Sequence, residues 1–321
     1  MSTQSLVVVD GISRYFGALC AIDNLSLQVA RGEIVGFLGP NGAGKSTAMQ
    51  VICGALAPSS GAVSIGGHDL FNDARAAKTQ IGYLPETPPL YQDLTVDEYL
   101  DFCACLHGID RRRQRDARQR VKKRCGVADS GARLIRNLSK GYRQRVGIAQ
   151  AIIHSPPIIV LDEPTEGLDP NQVREIRSLI GELGREQSVI LCTHLLPEVQ
   201  SVCQRVLILH KGQLVFDQAL ATLDGAVDGV DSTGVQSLRV AVKHPPALGQ
   251  WRKLTGVVAA TTEPNQRVRV EYQANVVPIE DIATQIVAAG WGLVELTPTR
   301  QTLEEIFVRL TCGQSVAEKS V

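Results

Sequence analysis

The residues Gly39, Pro40, Asn41, Gly42, Ala43, Gly44, Lys45, Ser46 and Thr47 carry the spacing G-x-x-x-x-G-K-S, set between an apolar run and a helical segment. Glycines let the backbone curl until successive N–H groups converge, and converging N–H groups at the start of a helix bind phosphate oxygens. In such a turn Lys45 neutralises the outer phosphates and Ser46 offers its hydroxyl to Mg2+. The chemistry is that of a nucleoside triphosphate held by its phosphates.

Two further apolar runs end in side chains suited to cleaving such a ligand. Ile158–Leu161 is followed by Asp162 and Glu163, adjacent carboxylates that an extended chain points to opposite sides. Asp162 is then placed to face the metal and Glu163 to polarise the attacking water as general base. Val189–Cys192 leads through Thr193 to His194, whose neutral imidazole can hydrogen-bond the γ-phosphate and hold the water in line with Glu163. Either pattern alone is ordinary at the end of a strand. Behind the phosphate cradle they form a set.

Short buried strands must position these groups. Ile34–Leu38, Ile158–Leu161 and Val189–Cys192 are apolar throughout and each ends in a polar or glycine-rich turn, as parallel strands do when their carboxyl ends line a ligand crevice. The first ~220 residues alternate such runs with helices, which predicts an α/β domain with a largely parallel sheet. The Gly-, Asp- and Ser-rich stretch Asp224–Gly234 reads as a linker. Beyond it come strands at Ser237–Val242, Val257–Thr262 and Arg267–Tyr272, a helix at Ile279–Ala289, a strand at Gly292–Thr297 and a helix at Leu303–Leu310, with a short helix around Leu248–Leu254. That order predicts a small α+β domain of ferredoxin-like type. The expected division is 1–222 for the nucleotide domain, with a helical subdomain at about 87–155, then a linker over 223–235, an accessory domain over 236–312 and a tail over 313–321.

Taken in order with Leu138-Ser139-Lys140-Gly141-Tyr142-Arg143-Gln144-Arg145 and Gly167-Leu168-Asp169, these motifs make the chain resemble the ATP-binding cassette family over roughly residues 5 to 220. The resemblance implies a P-loop cassette fold, ATP and Mg2+ as ligands, and two cassettes closing head to tail, as a homodimer or heterodimer, around two nucleotides. It implies that Ser139 and Gly141 form the family signature, which docks on the γ-phosphate held by the opposing subunit, and that Asp169 lies in the loop linking the two sites. Tyr15 is similar to the aromatic that stacks on adenine. Ser139 is also a good helix N-cap before the apolar spacing of Val146, Ala149 and Ile153, which makes an anion site without any family argument. The family's usual Gln is replaced by Glu86, a carboxylate able to approach Mg2+ but unable to donate a hydrogen bond unless protonated. Lys140 and Tyr142 depart from the usual Gly and Gln. With the C-terminal segment Leu303–Thr311, the chain is similar to bacterial export-type cassettes of gliding-motility and multidrug systems. A separate integral membrane permease is then the implied partner. Two rivals remain open at this point: a cassette ATPase acting away from membranes, and a nucleotide-dependent regulatory module with little turnover.

Composition narrows the classes. Lys plus Arg and Asp plus Glu both number 33, so no global charge excess points to nucleic acid, and none is expected as a partner. No stretch approaches the ~18–20 apolar residues of a membrane span, and the N-terminus lacks a signal-peptide pattern. The expected location is the cytoplasm, peripheral on the cytoplasmic face of the inner membrane. The eight cysteines are scattered without C-x-x-C spacing and are expected to be reduced core residues. Arg111 to Arg124 carries nine basic residues against one acid, Asp116. It is read as a solvated helix of the signature subdomain, with anionic lipid or a partner's loop as the alternative.

Overall fold

In chain order the first strands are β1 (Ser5–Phe16), β2 (Leu19–Ala30), β3 (Ile34–Leu38), β4 (Ser60–Ile65), β5 (His68–Asp69), β6 (Ile81–Leu84), β7 (Ile158–Asp162), β8 (Ser188–Thr193), β9 (Arg205–His210) and β10 (Gln213–Ala219). The helices among them are α1 (Lys45–Ile52), α2 (Ala74–Thr79), α3 (Val96–Leu106), α4 (Arg111–Arg124), α5 (Lys140–Ala151), α6 (Pro170–Leu183) and α7 (Leu196–Val202), and α8 (Leu220–Gly225) follows. The computed structural model describes residues 5–225, 235–263, 267–273, 276–299 and 302–312. The chain divides into two compact units, one reaching to Leu220 and the other Ala221–Arg309, with residues from Leu310 grouping with the first.

The three apolar runs are the centre of a six-stranded sheet of order β10-β9-β3-β8-β7-β6, parallel except for β10. Their continuous apolarity has a simple cause, since alternate side chains enter different cores. On β7, Ile158 and Val160 join one core and Ile159 and Leu161 the other; on β8, Ile190 and Cys192 join the first and Val189 and Leu191 the second. The register aligns the carboxyl ends, with Leu38 opposite Thr193, Asp162 opposite Cys192, and Leu84 opposite Leu161. The residues just beyond, Gly39, Glu163, His194 and Glu86, therefore meet at one edge of the sheet.

The expected largely parallel sheet is present, and a second sheet of order β2-β1-β4-β5, which the apolar runs do not announce, is antiparallel throughout. Its hairpin turns through two residues between Phe16 and Leu19, with Gly17 at φ +59°, the left-handed backbone that such tight turns need. Val7, Val9, Ile12, Leu25, Leu27 and Val29 face the first core, so this sheet lies over α1 and closes the phosphate-cradle side.

The second core holds α3, α4 and α5 together through Val96, Tyr99, Leu100, Cys103, Val121, Cys125, Val146 and Ala149. Thr95 starts α3 with a full capping box, its hydroxyl accepting from Glu98 N–H and Glu98 accepting from Thr95 N–H. The cysteine expectation holds for Cys53, Cys103, Cys125 and Cys192, which are free and buried, but not for Cys105, which is exposed. Two residues along α3 from buried Cys103, it falls about 200° round the helix and faces outward. Cys20 and Cys203 are half-buried and free, and Cys312 ends the final helix.

His154, just after α5, ties this helical layer to the parallel sheet. Its Nε2–H donates to Ile81 O at 3.1 Å, its ring stacks on His107 at 3.7 Å, and its buried Nδ1 has no partner. Burial first, then the neighbouring His107, pushes its pKa from 6.5 down to about 4. The unfolded chain takes up a proton that the fold refuses, so this group's stabilisation is complete above pH 6.5 and is lost as pH falls toward 4, in total on the order of 3 kcal/mol. Between pH 7 and 5 the urea midpoint of the wild type should fall further than that of His154→Gln; equal falls would contradict this account.

In the second unit β11 (Val235–Val242), α9 (Leu248–Trp251), β12 (Val257–Glu263), β13 (Arg267–Gln273), α10 (Ile279–Ala288), β14 (Leu293–Thr299) and α11 (Leu303–Cys312) follow in order. The sheet order is β12-β13-β11-β14, antiparallel, which is the ferredoxin-like arrangement. Leu238, Val240, Val270, Trp251, Ile282 and Ile286 fill its core. Thr302 and Glu305 form the reciprocal capping pair at the start of α11. The expected linker begins in α8 rather than after it, at Asp224 and Gly225, and its remainder lies outside the described residues, as does the tail over 313–321.

Candidate nucleotide site

Between β3 and α1 the chain makes the curled turn that the glycine spacing demands. Gly42 and Gly44 have φ of +79° and +102°, and a Cβ on Gly44 would come within 2.4 Å of Ala21 O. Asn41 and Gly42 are exposed on the turn, while Ala43 and Lys45 are buried in it. Lys45 Nζ donates to Gly39 O at 2.8 Å and to Pro40 O at 3.2 Å, so its ammonium lies inside the loop. Ser46 and Thr47 follow in the first turn of α1.

Glu163, 7% exposed, has φ +47°, a backbone that costs a non-glycine residue roughly 1–3 kcal/mol and is characteristic of functional sites. Its N–H donates to Cys192 O at 2.8 Å, which fixes the turn after β7 against the end of β8. The carboxylate thereby sits between two partners: Lys45 Nζ at 3.7 Å from one oxygen and His194 Nδ1 at 2.9 Å from the other. Three residues from three separate strand ends converge on one point.

Asp162 is 1% exposed, and burial raises its pKa, opposed by hydrogen bonding from Cys192 and Ser46 and by Lys45. Its Oδ1 is buried with no hydrogen-bond partner. An orphaned carboxylate oxygen beside a serine hydroxyl has the chemistry to accept a cation. Among the described residues no three His, Cys, Asp or Glu side chains converge to cage a metal. That donor set fits Mg2+, which takes one or two protein oxygens and completes its shell with phosphate and water. Glu86, an exposed residue, has its pKa raised by partial desolvation first and then by Glu166, Asp162 and Glu163, which puts it in the same negative field.

The signature residues lie elsewhere. Ser139 caps α5, its Oγ accepting from Tyr142 N–H at 3.4 Å, and Asp169 caps α6, accepting from Asn171 and Gln172 N–H at 3.0 Å. The two caps are packed together: a Cβ on Gly141 would meet the Gln172 amide at 2.6 Å, and a Cβ on Gly167 would meet the Lys140 ammonium at 2.4 Å. No hydrogen bond or ion pair joins Ser139, Gly141 or Asp169 to Lys45, Glu163 or His194 among the described residues. Tyr15 is the penultimate residue of β1, 47% exposed, beside Phe16, whose ring carries the Arg14 guanidinium at 4.7 Å.

Two positioning contacts escape sequence reasoning. Thr165 donates to Glu198, 1% exposed on α7, with Arg177 3.9 Å away, so the loop after Glu163 is tied to the helix after His194. Gln150 on α5 donates to Tyr83 O at 2.9 Å, tying the signature helix to the strand that ends near Glu86. Neither pair has a local spacing signal, because each partner is set by the tertiary fold.

Comparison with known proteins follows the same lines. The ABC transporter family profile matches residues 22–166. The chain is 32% identical to the uncharacterized ABC transporter ATP-binding protein YdbJ of Bacillus subtilis, covering 96% of both chains. It is 30% identical to the daunorubicin resistance ATP-binding protein DrrA3 of Streptomyces coeruleorubidus, again over 96% of both. Among solved structures, an ATP-binding subunit of an ABC transporter is similar over 68% of this chain and 92% of its own, with TM-score 0.62 and 30% identity.

Proposed function

The chain belongs to the ATP-binding cassette transporter family, as the ATP-binding and ATP-hydrolysing subunit that powers a separate permease, and from that premise we propose how its residues divide the work. The observation that carries the proposal is the Glu163 carboxylate held between Lys45 and His194 at the aligned strand ends.

The backbone N–H groups of Gly42 to Thr47 receive the phosphates of ATP, and Tyr15 stacks on the adenine. Lys45 exchanges the Gly39 and Pro40 carbonyls for phosphate oxygens, a stronger, charge-assisted partnership. Ser46 and Asp162, with Glu86 nearby, would hold Mg2+, which would neutralise charge on the terminal phosphates. Glu163 takes the proton from the attacking water. His194, anchored to Glu163 through Nδ1, keeps that water in line. Ser139, Gly141 and Asp169 serve the nucleotide of a second cassette, since none of them contacts this chain's own Lys45 or Glu163.

Residues 1–222 form the catalytic domain, 87–155 its helical subdomain and 236–312 an accessory domain that tunes dimerisation or transport. The likeness to a daunorubicin resistance protein supports export as the direction. No helix among the described residues is long and apolar enough to cross a membrane. In this reading a separate permease supplies the spans and holds the cassette peripherally on the cytoplasmic face.

Chelation tests the cation site. Phosphate release from ATP should fall at least about a hundredfold in excess EDTA and return with added Mg2+. Turnover that is indifferent to chelation would remove Asp162 and Ser46 from the proposed role. The neighbouring gene should encode a protein with about six apolar spans, and co-expression with it should yield a co-purifying complex; the absence of such a complex would count against the permease partner.

A further inference from the structure

The nine cations of α4 fall into two sets. Arg118 pairs with Asp97 and Asp101, Lys122 with Asp97 at 2.6 Å, and Arg124 with Glu186 at 2.9 Å. These three flank the buried stripe of Ala117 and Val121 and hold the helix to its neighbours. Arg111, Arg112, Arg113, Arg115, Arg120 and Lys123 are exposed, and none has a carboxylate within ion-pair distance among the described residues. Arg120 alone reaches a neighbouring side chain, Ser155 Oγ at 3.1 Å. With 3.6 residues per turn, Arg112 and Lys123 lie opposite Ala117 and Val121, Arg111 and Arg115 along one flank, Arg113 and Arg120 along the other. The outward face is thus predominantly cationic, interrupted by the neutral Gln119 and by Asp116, with Asp110 at the cap.

This arrangement works against the helix itself. Arg111, Arg112 and Arg113 occupy the first turn, the positive end of the helix dipole, where acids stabilise and cations destabilise. Arg111 and Arg115 are four apart, and Arg112 and Arg115, like Arg120 and Lys123, three apart, so like charges face each other. Asp110 at the cap and Asp116, one turn from Arg112, Arg113 and Arg120, offset only part of these costs. Because the whole chain carries equal numbers of cationic and acidic residues, the surplus is local and not a general basic character. Six exposed cations against two acids leave local rules broken beyond what the chain compensates, which marks a surface whose partner lies outside the chain.

We propose that the outward face of α4 is a docking surface for the anionic headgroups of a lipid bilayer. Planar guanidinium groups bind phosphate oxygens through two N–H donors at once, and a polybasic face is drawn to an anionic leaflet. The face bears no large apolar side chain, so it adsorbs at the headgroups rather than inserting. The setting rests on the permease partner proposed above, whereas the lipid contact is a property of this chain alone and needs no nucleotide.

The test is co-sedimentation of the full chain, without ATP, with vesicles of phosphatidylcholine alone or containing about one third phosphatidylglycerol. Binding should occur only on the anionic vesicles and should disappear in about 1 M salt, where charge is screened within ~3 Å. The triple variant Arg112→Glu, Arg115→Glu, Lys123→Glu should bind at least about tenfold more weakly, with unchanged ATP hydrolysis in solution. Arg112→Lys with Arg115→Lys, which keeps the charge, should bind within about threefold of wild type. Equal binding to neutral vesicles, undiminished binding of the triple variant, or retention by RNA but not by anionic vesicles would each overturn the proposal. Because hydrolysis is read separately, a chain that binds lipid yet cleaves no ATP would count against the proposed catalysis and not against this surface.

Discussion

Glu163→Gln should leave ATP binding intact and lower steady-state phosphate release by about 10²–10⁴, the usual contribution of a positioned general base. The amide keeps the size of the side chain and can still meet His194 Nδ1, which lies 2.9 Å from the carboxylate. What it loses is the capacity to accept a proton from water. It also removes a negative charge 3.7 Å from Lys45, which frees the ammonium for the phosphates, so ATP affinity should hold or rise. Complexes with uncleaved ATP should accumulate, visible as a doubled mass in sedimentation when Mg2+ and ATP are present. A variant with wild-type turnover would show that the base lies elsewhere.

Lys45→Ala should act at the other end of the cycle, weakening ATP binding by roughly tenfold to a hundredfold, the scale of losing one charge-assisted hydrogen bond. The fold should tolerate the change better than the ligand does. Gly39 O and Pro40 O lose their donor, but the shortened side chain leaves room for water to replace it, and Glu163 keeps His194. Fluorescent-nucleotide titration and thermal unfolding separate the two effects. Undiminished ATP affinity with a collapsed melting temperature would mean that Lys45 is structural.

The contrast between these variants follows from which parts of the site are local in the chain. Gly39 to Thr47 could be read directly, because the chemistry of a phosphate turn is carried by consecutive residues. Asp162, Glu163 and His194 were legible as strand ends because the apolar runs before them are short and unbroken. Their convergence depends on the parallel register that sets Asp162 opposite Cys192, and register leaves no mark on an unpaired strand. The left-handed Glu163 was invisible for the same reason, since nothing in an Asp-Glu-Pro run announces φ +47°. The antiparallel sheet was missed because β1 and β2 interrupt their alternation at several bulges, including the one between Val9 and Ile12. In the second unit the alternation is cleaner, as in β13, where Val268, Val270 and Tyr272 turn inward, and its strand order follows from the element order. The surface of α4 was legible in charge but not in pairing. Only the folded chain separates Arg118, Lys122 and Arg124, which are bound to acids, from the six cations that are not.

Single-turnover cleavage bears most directly on the central claim, that Glu163, held between Lys45 and His194, activates the water that attacks ATP. With protein in excess over radiolabelled ATP and Mg2+ present, wild type should convert the bound nucleotide to ADP and phosphate, while Glu163→Gln should retain it uncleaved for at least about a hundred times longer. Cleavage by Glu163→Gln at the wild-type rate would contradict the account.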